Sequence, residues 1–277
     1  MFWHCFLALC FSILPFQSYA ADAVSNAIEF VIIIPSYNNE QWYKANLDSV
    51  VNQTYPHFSI HYINDCSQDK TGQLVDQYVK DAGLELKGKI QVTHNSLRRG
   101  AMANLFSAIT AIDGKKVVVV VDGDDRLAHT GILDILAKQY ADKSVWLTHG
   151  NYTTEPFTKA SYCKEYPKKV QKKLKFRSSK KWMGCQLRTF YAKLFHLIKK
   201  EDLLFNGDFL PMTYDLGIMF PMLEMASDGH VRFIEEPIYI VNTVNPISDR
   251  KKNAKLQKEL DTHLRNLPSY QPLKELF

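Results

Sequence analysis

The sequence is short of most features that would settle a class at a glance. None of its apolar runs reaches the roughly 20 residues that a membrane-spanning helix needs; the longest, residues 5–16, has 12. Of only five cysteines, Cys5 and Cys10 fall inside that run. The other three, Cys66, Cys163 and Cys185, match neither a zinc-ligand spacing nor an even disulfide framework, which leaves room for one bridge, Cys163 to Cys185. There is no internal repeat and no low-complexity tract. With 46% hydrophobic and 23% charged residues, the 277-residue chain is neither disordered nor collagen-like and can bury a sizeable core.

Excess charge is also small, and it is local. The formal net charge is +5, yet residues 164–181 carry nine Lys/Arg and one Glu, so that stretch is +8 and the remainder −3. Nucleic-acid readers spread their cations over a recognisable reader fold, and a single run does not, so nucleic acid is not an expected partner. The run suits either an anionic acceptor or a lipid headgroup at a membrane surface, or else a solvated insertion with no ligand.

At the N-terminus the apolar run is followed by Ser18 and Ala20 in the small-x-small spacing of a cleavage site. Residues 1–20 therefore read as a signal peptide, with export or a secretory-pathway lumen as the destination. Because residues 1–4 have no Lys or Arg, an uncleaved, membrane-associating segment remains the alternative.

From residue 28 the pattern alternates. Residues 29–34 form a continuous apolar strand signal ending at Pro35, followed by a helix over 39–53, a strand over 59–64, a helix over 70–82, a strand over 90–94, a helix over 101–112 and a strand over 116–121. Repeats of this size predict a doubly wound, mostly parallel α/β sheet with helices on both faces, in which ligands sit at the carboxyl ends of the strands. A helix over 131–140 follows, then a strand over 145–148, an unpatterned polar, basic and aromatic stretch over 153–182, and helices over 187–200 and 216–226, the latter interrupted by Pro221. Strands over 231–234 and 237–241 and a charged helical tail close the chain.

Asp122-Gly123-Asp124-Asp125 is the sharpest chemical feature. Two carboxylates two residues apart on the turn after a buried strand offer hard oxygen ligands to Mg²⁺ or Mn²⁺, and such an ion neutralises a diphosphate leaving group. Taken alone, the cluster serves equally as a solvated acidic turn opening a helix.

The order of landmarks resembles family-two glycosyltransferases of the GT-A fold: Pro35-Ser36-Tyr37-Asn38-Asn39 after the first strand, Asn64 to Thr71 after the second, then Arg99-Gly100 with Asn104, then the Asp122–Asp125 turn. The resemblance is strong over residues 30–125 and weaker to Pro246. It implies one GT-A domain over 28–250, with a nucleotide-sugar half (28–130) and an acceptor half (131–250), ahead of a helical tail over 251–277. It further implies that Pro35, Tyr37 and Asp65 line a nucleotide-base pocket, that Arg99 and Asn104 lie near the diphosphate and sugar, that Asp122 contacts ribose or metal, and that Asp124 ligates the metal. The family usually has Asp where Asn64 stands and Gly where Cys66 stands.

The same resemblance places a catalytic base before a late apolar helix, where Asp215 stands, with Asp208 in reserve and Glu224 further along. The polymerase motif Gln-x-x-Arg-Trp is absent, so transfer of one sugar is expected, with inversion and a uridine diphosphate donor, onto an unknown glycan, lipid-linked or protein hydroxyl. Neither His230 nor His263 sits in the context of a metal ligand. Trp146, Tyr152, Phe157 and Tyr162 serve either as stacking platforms for an acceptor sugar or as packing. The competing readings are a non-catalytic GT-A module that binds nucleotide sugar or glycan, and a nucleotidyltransferase. The second lacks its expected glycine-rich loop after strand one.

Overall fold

A computed structural model describes residues 27–83, 88–156, 161–247 and 253–277. The expected signal segment and Phe157 lie outside these residues.

The chain forms β1 (Phe30–Ser36), α1 (Tyr43–Val51), β2 (Phe58–Asn64), α2 (Thr71–Asp81), β3 (Ile90–His94), α3 (Ala101–Thr110), β4 (Val117–Val120), β5 (Arg126–Leu127) and α4 (Ile132–Tyr140). The second half adds β6 (Leu147–Glu155), α5 (Lys168–Lys172), β7 (Arg188–Tyr191), α6 (Ala192–His196), a 3₁₀ turn (Lys200–Leu203), β8 (Leu204–Phe205), β9 (Asp208–Phe209), α7 (Tyr214–Met225), β10 (Val231–Asn242) and α8 (Ala254–Asn266). Among the described residues eight strands make one mixed sheet in the order β3-β2-β1-β4-β7-β6-β10-β5, and β8-β9 is a separate hairpin. β1 runs parallel to β2 and β4, and β2 parallel to β3. The apolar runs are explained by burial on both faces: every residue of β1 and β4 is buried. Each such valine or isoleucine contributes roughly 1.5–3 kcal/mol through burial.

Three expectations are corrected. The helix expected over 187–200 is the strand β7 followed by the short α6, because Arg188–Tyr191 pair antiparallel with Val117–Val120 on the side away from β1. Pairing inside the sheet overrides the local helical pattern. The two late strands are one, β10, with register shifts between Phe233 and Tyr239 that accommodate Pro237. α7 continues through Pro221 rather than breaking there, since Leu216 to Met225 are all buried and packing offsets the lost backbone bond.

The basic stretch is also more ordered than its composition suggests. Cys163 and Cys185 are bridged. Tyr166 and Phe176 enter the core, and Arg177 meets Glu224 in a buried bidentate pair with Nε–Oε1 2.7 Å and Nη2–Oε2 3.0 Å. Arg177 also donates to the Leu264 carbonyl at 2.6 Å, and Glu224 accepts from the Tyr270 N–H at 3.0 Å. One ion pair thus ties the basic loop to α7, α8 and the C-terminal tail, which gives Glu224 a structural role. Among the described residues no helix is long and apolar enough to cross a membrane.

Removing one member of a buried ion pair strands the other's charge. Arg177→Met is expected to lower unfolding stability by about 3–5 kcal/mol, measured by urea denaturation; a loss no larger than that of a surface lysine substitution would contradict the assigned role.

Candidate active site

The sheet order turns between β1 and β4, whose crossovers leave on opposite sides, and polar loops gather at their carboxyl ends. There they wall a cleft of about 300 Å³. Pro35, Tyr37, Asp65, Asn104, Asp122 and Asp124 all line it. The structure therefore brings together the sequence-predicted donor residues, with one exception.

That exception is Arg99. Its guanidinium turns away to Ser107 Oγ at 3.2 Å, toward a separate trough on the outer sheet face. Its neighbour Arg98 faces the cleft instead, stacked over the Tyr37 ring at 4.0 Å. A two-residue basic pair after a strand gives no sequence signal for which side chain faces inward.

Asp65 organises the same corner. Its Oδ1 accepts from the Arg99 N–H and from Asn95 Nδ2, each at 2.8 Å, and its Oδ2 from the Gly100 N–H at 2.8 Å. Burial pushes this carboxyl up, but the hydrogen bonds from Arg99, Asn95 and Gly100, with the Asn104 amide beside them, outweigh it and hold it below the ordinary range. The carboxylate thus fixes the entry to α3, and of its roughly four acceptor sites three are taken within the protein. Cys66, next in sequence, has φ of 58°, the left-handed region that favours glycine and the place where the resembled family usually carries one.

The acidic turn is held from three sides. Asn46 on α1 donates to the carbonyls of Asp122 (2.9 Å) and Asp125 (2.8 Å). Tyr239 on β10 accepts from the Asp122 N–H at 2.9 Å, and Asn245 donates to Asp124 Oδ2 at 2.6 Å. Asp125 points inward, accepting from the Asn242 N–H at 2.7 Å; burial first, then Asp124 and Asp122, hold its carboxyl well above the ordinary range. Gly123 permits this crowding, since a Cβ there would sit 2.6 Å from Asn39 Nδ2 and 2.7 Å from Ser36 Oγ.

Arg188 links the turn to the expected base, and nothing in the helical reading of its segment pointed to it. Nearly buried, it donates to the Tyr214 hydroxyl at 3.3 Å, and Tyr214 donates to Asp122 Oδ1. Its other terminal nitrogen lies 3.5 Å from Asp215 Oδ2. Burial lowers its proton affinity, but Tyr214, Asp215 and Asp122 more than restore it, so it stays cationic. Asp215 faces a second cavity of about 420 Å³. Burial pushes its carboxyl up and Arg188 opposes that push.

The remaining candidates separate. Asp208 is exposed on the β8–β9 hairpin. Trp146 lies buried at the other end of the sheet, stacked on His230 with centroids 3.5 Å apart, and His263 meets Phe205 edge-on. Tyr152 and Tyr162 line the Asp215 cavity. Three buried polar atoms of the cleft wall, Asn39 Oδ1, Asn104 Nδ2 and Asn242 Nδ2, have no hydrogen-bond partner among the described residues, and neither does Arg188 Nε behind it. Buried polar groups are ordinarily satisfied, so such atoms on a cleft wall mark where a polar ligand fits.

Residues 31–197, more than half of the chain, match the family model described as Glycosyl transferase family 2. The chain belongs to that family. Among curated relatives, this family-two chain is 30% identical over 112 residues to the poly(ribitol-phosphate) beta-N-acetylglucosaminyltransferase TarS of Staphylococcus aureus, which covers 40% of the chain and 18% of TarS. It is likewise 30% identical over 95 residues to the putative teichuronic acid biosynthesis glycosyltransferase TuaG of Bacillus subtilis, 34% of the chain and 35% of TuaG. The chain thus matches well under half the length of these relatives. In structure it resembles the mannosyltransferase PcManGT of Pyrobaculum calidifontis in complex with GDP-Man and Mn²⁺, with TM-score 0.57, 18% identity, 89% of this chain and 67% of that one. It also resembles S. aureus TarS 1-349 in complex with UDP-GlcNAc, with TM-score 0.55 and 14% identity over 88% of this chain and 68% of that one. The fold is the GT-A fold.

Gly123→Ala is expected to cost about 1–3 kcal/mol in urea unfolding, because both Ser36 and Asn39 must move; a native midpoint would show that the turn has room to spare.

Proposed function

We propose that this family-two chain is a metal-dependent, inverting glycosyltransferase that moves one sugar from a nucleoside-diphosphate sugar to an acceptor hydroxyl. The observation that carries the reading is the division of labour around Arg188. On one side lies the Asp122/Asp124 cleft with its unsatisfied polar wall, and on the other Asp215 faces its own cavity.

The donor set fits a divalent ion. Asp122 and Asp124 would hold Mg²⁺ or Mn²⁺, ions that bind through one or two carboxylates and complete their shell with substrate phosphates and water, and among the described residues no third His, Cys, Asp or Glu completes an all-protein cage. When bound, the ion supplies neutralising charge to the departing diphosphate. The chain's own residues do the rest. Tyr37 and Arg98 form a flat cationic wall for a nucleotide, Asp65 fixes the α3 entry, and Asn39 and Asn242 offer an acceptor and a donor to the bound molecule. Asp215 takes the proton of the acceptor hydroxyl as its oxygen bonds to the anomeric carbon and the carbon–phosphate-oxygen bond breaks on the opposite side. Approach from the cavity facing away from the diphosphate inverts the centre.

The donor base follows from likeness alone. Solved relatives hold UDP-GlcNAc in one case and GDP-Man in another, and uridine remains our expectation here. The test is nucleoside diphosphate release from a panel of UDP- and GDP-sugars with Mn²⁺ or with EDTA. One donor should turn over, and Asp124→Asn or chelation should reduce the rate on the order of a hundredfold, equivalent to a few kcal/mol of transition-state stabilisation. Full activity in EDTA and in Asp124→Asn would sink the metal assignment. Nucleotide binding without turnover of any donor would favour a non-catalytic module.

A further inference from the structure

The cavity beside Asp215 is rimmed by the two feet of a single loop. Tyr162 and Gln186, which bracket residues 163–185, line it together with Trp182 and Cys185 from the loop's own end, and the Cys163–Cys185 disulfide closes the loop. This loop is anchored rather than loose, because Tyr166 and Phe176 are buried and Arg177 is locked to Glu224. On this fixed body the eight lysines between Lys164 and Lys181 are all exposed, against the lone acid Glu165. None of them joins an ion pair among the described residues. Ordinary surfaces intersperse both signs, since a single-sign field repels itself. Lys164 stands two residues from Tyr162 and Lys181 next to Trp182, so at 3.8 Å per residue their backbones lie within about 8 Å of cavity-lining residues.

We infer that the acceptor is a negatively charged glycan: one sugar ring enters the cavity at Asp215, and carboxylate or phosphate groups on neighbouring residues of the same polymer lie along the lysine loop. This rests on the glycosyltransferase reading above. The cavity, about 420 Å³, is within the range of small-ligand sites and has Tyr152, Tyr162 and Trp182 as aromatic walls. A bilayer surface is the weaker match. Interfacial segments expose large apolar side chains beside their cations, whereas in this loop Val170 and Leu174 pack against the core, and Tyr162 at its foot is its only exposed large hydrophobic among the described residues.

The test uses the full chain and a fluorescent oligogalacturonate, compared with the same oligosaccharide fully methyl-esterified and with phosphatidylglycerol-containing vesicles. The acidic oligosaccharide should bind about tenfold or more tightly than its neutral ester, with the advantage shrinking as salt screens the lysines. Both the triple variant Lys164→Ser, Lys180→Ser, Lys181→Ser and the single variant Tyr162→Ala should weaken it. Tyr162 is 55% exposed, so its loss leaves folding intact. Equal affinity for acid and ester overturns the inference. So does lysine-dependent binding untouched by Tyr162→Ala, which places the polymer away from the cavity, and so does preference for the vesicles. Melting-temperature rise of the wild-type protein with UDP or GDP is read separately. If it is absent the transferase reading fails, and if it is present while the oligosaccharide arm fails, only the acceptor class is wrong.

Discussion

The site depends on one buried cation. Arg188 sits where four acidic or phenolic groups converge, and without it the carboxylates of Asp122 and Asp215 and the Tyr214 hydroxyl would share a low-dielectric space with no compensating charge. Its place follows from strand register: Arg188 pairs with Val120, the last residue of β4, so its side chain lies two residues from Asp122. The antiparallel insertion of β7 is therefore more than a variation on a parallel sheet. It delivers a guanidinium to the carboxyl edge, where it restrains the donor-side turn through Tyr214 and steadies Asp215 directly.

Around that cation the two halves of the chain meet as complementary machinery. The parallel half presents backbone corners and the acidic turn, pinned by Asn46, Tyr239 and Gly123. The second half supplies Asp215, the aromatic cavity and the lysine loop, and the Arg177–Glu224 pair fastens that loop to α7, the helix that begins at Tyr214 and Asp215. Position in the fold thus links a surface charge cluster to Asp215 through one helix.

Much of the parallel half was legible because its elements are specified locally. Continuous apolar runs such as 30–34 and 117–121 mean strands buried on both faces, and the polar clusters after them fall at the carboxyl edge by topology alone. Asp122 and Asp124 could be singled out because the clusters at 35–39, 64–71 and 99–104 precede them in the order of the resembled family; alone, the acidic pair serves equally as a solvated turn. Arg188, Arg98 and Asn46 could not, because their importance lies in long-range register and facing direction. A lone arginine within Leu187-Arg188-Thr189-Phe190-Tyr191 was the available hint, since a cation in an apolar strand demands a partner. The basic loop misled for the opposite reason: its lysines dominate the composition, while its order comes from Tyr166, Phe176, Arg177 and a disulfide.

In the proposed transfer Asp215 receives the acceptor proton, and Arg188 offsets part of the burial that pushes its carboxyl up. The most direct measurement is the pH profile of nucleoside diphosphate release for the wild-type chain and for Arg188→Gln. In the wild type the rate is expected to fall on the acid side as Asp215 takes a proton; with the cation gone, only backbone hydrogen bonds oppose burial at Asp215, so the acid limb should move to higher pH while the remaining activity recovers in base. An acid limb at the same pH in both proteins, with only a uniform drop in rate, would contradict it.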